Sequence, residues 1–269
     1  MKPRILLYTL PLLLFAPDAL AWGLQTHLFF AQYALMFTPL ADPSLRRAAA
    51  RLPRLILAGA CLPDLALVGP VVGTYAFRQS HQWATLRRIS AVPLCDEDRA
   101  LVFGYASHLL ADIVAHNCFV PEHERRFARV EHLTHAACEW AMDDFLRPWV
   151  CSAVGDLFAE ERAALTDFVG ARFRCGTPLA RRAVDLLGRA DSALRASPVP
   201  RLCRRALRLF DGGVVPRFEA YVRETSARLG HLEQVLSGIE PAWDAEPARD
   251  ASPREFWYRG RLLLPAKLL

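Results

Sequence analysis

The sequence predicts an all-α fold, and three observations carry that reading. Strand signals are scarce; helix punctuation recurs, as in Asp42-Pro43 and Asp96-Glu97-Asp98; and apolar residues repeat at helical rather than alternating spacing. In order, the spacing places helices at 25–38, 43–60, 75–88, 97–117, 126–149, 157–173, 178–193, 200–211 and 214–238. The second opens on an Asp N-cap with proline at the first helical position, and the fourth opens on acids that suit a helix N-terminus. Gly212-Gly213 and the Pro/Ser segment 197–200 separate the later helices, and the segment 241–269, with Pro241, Pro247 and Pro253, reads as an irregular tail.

Residues 1–21 read as an export signal: a basic leader Met1–Arg4, an apolar run Ile5–Phe15 too short to span a bilayer, and Ala19-Leu20-Ala21 as a small-x-small cleavage site. Cleavage there starts the mature chain at Trp22 and implies a periplasmic or extracellular protein. The rest suits one domain, 22–240, and the whole chain's 53% hydrophobic and 23% charged content excludes disorder. A net charge of +5 is too small to imply nucleic acid, and since only Lys2 and Lys267 are lysines, the arginines read as composition rather than phosphate recognition. The apolar stretch 55–73 contains Pro63, Asp64 and Pro70 and reads as core rather than membrane span. Seven cysteines include no CxxC pair, which leaves metal chemistry to histidines and carboxylates; their disulfide pairing is open.

Seven of the eight histidines fall between positions 27 and 135. His108, Asp112 and His116 recur four apart, so each step climbs about 6 Å and lags about 40° along one helical face, and the central carboxylate can bridge metals held by its neighbours. Leu101, Val102, Phe103, Leu109, Leu110, Ile113 and Val114 make the rest of that helix apolar all round, so the polar face is buried as well and needs partners. His135 and Glu139 repeat the spacing on the next helix. Asp64 and His81 are further ligand candidates, while Asp143, one turn beyond Glu139, reads as a solvated acid rather than a supporting partner.

With Trp22-Gly-Leu-Gln-Thr-His27 opening the mature chain, the sequence resembles the zinc-dependent phospholipase C family and the related three-zinc single-strand nucleases. The resemblance covers positions 22–143 and implies a helical bundle with a buried cluster of up to three zinc ions. It implies that Asp64, His81, His108 and Asp112 hold one ion, that Trp22, through its α-amine and carbonyl, holds a second with His27 and Asp112, and that His116, His135 and Glu139 hold the third. An α-amine of pKa about 7.7–8.0 sheds its proton readily enough to chelate. The family places the third-site His six residues after the bridging Asp, whereas His116 follows Asp112 by four; His123 and His132 are substitutes, and helical spacing favours His116.

The resemblance further implies hydrolysis of a phosphodiester by metal-activated water, with Asp64 helping to take the proton. Phospholipid is the favoured substrate. Nucleic acid is less favoured, because the nucleases carry an arginine three residues after the first ligand Asp and this chain has Leu67. A nuclease, or a zinc-binding relative without turnover, is the alternative. Leu65, Leu67, Val68, Val71, Val72 and Phe77 either offer peripheral contact with a membrane or simply pack in the core.

Overall fold

A computed structural model describes residues 22–92, 94–126 and 131–245. The expected signal at 1–21 and most of the expected tail lie outside them. Among the described residues there is no strand, and the fold is all-α. Helix α1 (Leu24–Phe37) begins at Gly23 without a side-chain cap of its own. Asp42 caps α2 (Pro43–Arg51), its Oδ1 accepting from Ser44 N at 2.6 Å and Leu45 N at 3.3 Å, an arrangement worth about 1 kcal/mol. The single helix expected over 43–60 breaks at Leu52, because Pro53 lacks an N–H and restrains the residue before it; α3 (Pro53–Gly59) starts afresh. A one-turn α4 (Leu65–Val68) follows.

The helix expected over 75–88 begins only at Trp83, as α5 (Trp83–Ser90). Residues before it form turns bonded to other parts of the chain: Ser80 Oγ donates to Pro63 O at 2.6 Å, and the Tyr105 hydroxyl donates to Ser80 O. Helix α6 (Asp96–Val114) is the centre of the molecule, with α1, α2, α3 and α5 packed around it. Being enclosed explains why its sequence is apolar on every side, and why its few polar groups must be satisfied internally. A π-helical turn (Ala115–Phe119) widens the chain path at its end, and α7 (Val120–Arg126) and α8 (Glu131–Leu146) follow.

Beyond a 3-10 turn at Arg147–Trp149, the helix expected over 157–173 is two, α9 (Val154–Glu160) and α10 (Arg162–Arg172), divided at Glu161. Gly176, at φ 76°, occupies the left-handed region that side chains avoid and redirects the chain into α11 (Thr177–Ala196). Helix α12 (Val199–Phe210) lies on α8, and α13 (Val214–Arg228) and α14 (Leu232–Leu236) complete the cover over α6. The helix expected over 214–238 is interrupted by a 3-10 turn at Leu229–His231, which contains Gly230, a poor helix former. Glu233 then reaches Ala41 N at 2.7 Å and Asp42 N at 2.5 Å. All seven cysteines are free thiols. No helix among the described residues is long and apolar enough to cross a membrane.

Candidate metal centre

Two glycines let α3 and α6 touch backbone to backbone. A Cβ on Gly104 would lie 2.0 Å from Ile56 O, and one on Gly59 would lie 2.4 Å from Leu101 O. The close approach brings the end of α3 onto the part of α6 that carries the candidate ligands His108 and Asp112, where Ala60 O stands 2.7 Å from His108 Nδ1. A carbonyl can only accept, so Nδ1 carries the proton and Nε2 is left to face inward. Just beyond α3, Asp64 is buried beside the same helix.

The inward atoms converge. His108 Nε2 lies 2.9 Å from Asp112 Oδ2, His27 Nε2 lies 3.4 Å from Asp112 Oδ1, and His81 Nε2 lies 3.4 Å from Asp64 Oδ1 and 3.7 Å from Asp112 Oδ2. The His27 and His108 rings stack with centroids 3.5 Å apart. Two sets, His27–Asp64–His108 and His81–His108–Asp112, each have ligand atoms within 4.8 Å of one another. Asp112 thus turns one oxygen to His27 and the other to His81 and His108, as a bridging carboxylate would.

The remaining candidates form a looser group. His135 Nε2 is 2.7 Å from Glu139 Oε1, and the His116 and His135 rings stand 6.0 Å apart. His116 and His135 are partly exposed, unlike the fully enclosed set around Asp112, so this group gives the centre its open side. His116 lies in the π-helical turn rather than on a continuous α-helix as its spacing suggested, yet its Nε2 is still buried near the cluster. His123 is directed elsewhere: its Nδ1 is bonded to Phe119 O at 2.7 Å, and its ring packs among Phe119, Phe218 and Tyr221. The side chain of His132 lies outside the described residues.

Burial, then the neighbouring His108, His81 and His116, holds the His27 imidazole well below its usual range, with the adjacent Trp22 backbone opposing. Burial and then His135 do the same to His116. Glu139 is pushed well above the carboxylate range by burial and by Asp64, Asp143 and Asp112. Neutral imidazoles and carboxylates crowded out of water are what a bound cation compensates. Both ring nitrogens of His27, Nε2 of His108 and His116, and both oxygens of Asp112 and Glu139 are buried without a hydrogen bond. Orphaned nitrogen and oxygen donors facing one another fit zinc.

Trp22 is buried, its Nε1 donating to Ala111 O at 3.0 Å and its ring 4.3 Å from that of Phe119. Its backbone therefore stays beside His27. Asp143 is not the solvated acid expected. It is buried, and its Oδ1 accepts from Thr26 N at 2.9 Å and Thr26 Oγ1 at 2.8 Å, supplying the cap that α1 lacks. A Cβ on Gly23 would sit 2.2 Å from Asp143 Oδ2, so this position needs its glycine for that approach. Burial raises the Asp143 carboxyl to about 7, while the Thr26 donors pull it down. We expect Asp143→Ala to cost ~2–3 kcal/mol by leaving two buried donors unpaired, and Asp143→Asn, which keeps an acceptor, to cost less. Urea titrations that rank Asp143→Ala level with the native protein would remove this clamp.

Of the apolar residues considered for membrane contact, Leu65, Leu67, Val68 and Phe77 are core, and Val71 alone is well exposed. Gly59, Gly104, Ser80 and Asp143 are supporting residues not singled out for those roles in the sequence. The signals that marked them were a glycine four residues before His108 and an acid four residues after Glu139.

Residues 26–169 match the family model described as zinc dependent phospholipase C. The match spans more than half of the chain and runs from Thr26 into α10, so the protein belongs to the zinc-dependent phospholipase C family. No curated protein and no solved structure matches it significantly.

Proposed function

We propose that the protein is an exported zinc-dependent phosphodiesterase that cleaves phospholipids to diacylglycerol and a phosphorylated head group. The observation that carries this reading is Asp112, whose two oxygens face different imidazoles in a fully buried, hydrogen-bond-starved cluster. Asp64, His81, His108 and Asp112 would hold one zinc; Trp22, His27 and Asp112 would hold a second; His116, His135 and Glu139 would hold a third. When bound, zinc supplies a Lewis acid that polarises phosphoryl oxygen and acidifies water.

The chain's own groups do the rest. Ala60 O fixes the His108 ring and its tautomer, so that Nε2 is presented without rearrangement. Ser80, held by Pro63 O and lying 3.4 Å from His81 Nδ1, steadies the second imidazole. Asp64 takes a proton from the attacking water. The phosphodiester enters past His116 and His135, on the open side.

Leu67, where the related nucleases carry arginine, is buried and offers no cation to a nucleic-acid phosphate, which favours lipid. We expect protein cleaved before Trp22 to carry up to three zinc ions and to hydrolyse phosphatidylcholine faster than single-stranded DNA at matched salt. Faster cleavage of DNA would make it a nuclease. Full zinc loading without hydrolysis of either would make it a binding relative, and less than one equivalent of metal would dismiss the cluster.

A further inference from the structure

Helix α12 rests on α8, with Pro200 and Leu207 buried and Arg204 paired to Asp144 at 2.5 Å. Its other side carries Arg201, Leu202, Arg205, Arg208, Leu209 and Phe210, all exposed. Leu209 at 86% and Phe210 at 81% are the two most exposed large apolar side chains among the described residues, and Leu202 is 54% exposed. Arg201, Arg205 and Arg208 fall at i, i+4 and i+7 and form one stripe, while Leu202 and Leu209, seven apart, run alongside it. No acid occurs within α12. Asp211, the acid that follows, is taken up by Arg217 and by Gly213 N. Among the described residues no carboxylate pairs with Arg201, Arg205 or Arg208.

We propose that this face docks the protein on an anionic phospholipid surface, with Leu209 and Phe210 entering below the head groups and the three arginines meeting lipid phosphates. The chemistry is that of an interfacial amphipathic helix, where apolar insertion and cation–phosphate attraction add. The inference rests on the reading of the protein as a phospholipase, and it names the surface by which that enzyme would meet its substrate.

Charge argues against two other occupants. In a symmetric contact between two copies this face would set its arginines against themselves. The segment 246–269 is apolar enough to cover the face, but it carries Arg249, Arg254, Arg259, Arg261 and Lys267 against Glu246, Asp250 and Glu255, and so is itself cationic. Anionic lipid complements both the stripe and the apolar tip. Because α12 packs directly on the helix that bears His135 and Glu139, docking would hold the looser ligand group one helix from the membrane.

Vesicle flotation tests this with phosphatidylcholine alone and with phosphatidylcholine containing phosphatidylglycerol. Hydrolysis of soluble dihexanoyl-phosphatidylcholine is measured in parallel. The native protein should partition onto anionic vesicles at least ~10-fold better than onto neutral ones. Leu209→Ser/Phe210→Ser should lower that partitioning ~10-fold or more, and Arg201→Gln/Arg205→Gln/Arg208→Gln should abolish the preference for anionic lipid. Both variants should turn over the soluble substrate normally. Native-like vesicle binding by both would overturn the proposal. So would a dimer that Leu209→Ser/Phe210→Ser dissolves without changing vesicle binding. Vesicle binding through α12 with no hydrolysis of either lipid would sustain the docking face while removing the phospholipase reading, and hydrolysis of the soluble lipid without vesicle binding would do the reverse.

Discussion

Replacing Asp112 with Asn is expected to strip zinc from two positions at once and to lower phosphodiesterase turnover by roughly a thousandfold, the largest loss of any single ligand change. One Asp112 oxygen lies 3.4 Å from His27 and the other 2.9 Å from His108, so this carboxylate turns a separate oxygen to each half of the cluster. An amide keeps the shape but loses the charge, and its nitrogen cannot bind a cation. His116→Ala, by contrast, removes a ligand from the looser group alone and should cost about one equivalent of zinc. Metal analysis of the two purified variants checks the ranking.

Misfolding is a poor explanation for such a loss, and a second measurement separates it. In chelator, the native protein keeps a buried carboxylate among orphaned nitrogens and oxygens, a costly arrangement that Asn relieves. Metal-free Asp112→Asn should therefore melt no lower than metal-free native protein, while addition of zinc raises the native melting temperature and leaves the variant nearly unmoved. If the variant bound zinc and worked as the native protein does, Asp112 would not bridge.

Much of this arrangement was legible because helices translate spacing into direction. His108 and Asp112 share a face by virtue of being four apart, and the apolar residues around them announce burial. His135 and Glu139 repeat the device. Spacing stops being informative where the backbone leaves the α-helix: the π-helical turn at Ala115–Phe119 changes the path that carries His116, and the turns before Trp83 place Ser80 and His81 through bonds to Pro63 and Tyr105. Such long-range bonds leave no local pattern. Asp143 illustrates the same limit. Its helical position beside Glu139 was plain, but whether it met water or protein depended on Thr26, 117 positions away. Leu65, Leu67, Val68 and Phe77 could equally have lined a mouth or filled a core, since composition carries no sidedness in so short a stretch.

The second large effect concerns what precedes Trp22. Its indole is fixed by Ala111 O, one residue before Asp112, and by Phe119; Gly23 lies against Asp143; and the Trp22 backbone adjoins His27. All of these contacts hold the Trp22 main chain at the His27 end of the cluster, and none of them requires a free terminus. The ligand does. A terminal amine loses its proton near neutral pH and can chelate together with the carbonyl, whereas a peptide nitrogen at the same place keeps its hydrogen and has no lone pair to offer. Protein carrying even one residue ahead of Trp22 should accordingly fold with an unchanged melting temperature in chelator, bind about one zinc fewer, and hydrolyse phosphodiesters roughly a hundredfold more slowly. Folding and activity would part company at a single bond. The comparison needs protein released with Trp22 first and protein retaining an extension, each assayed for zinc and turnover. Equal zinc and equal rates would show that the amine takes no part, and the Trp-Gly opening would then serve only to seat α1 against α6 and α8.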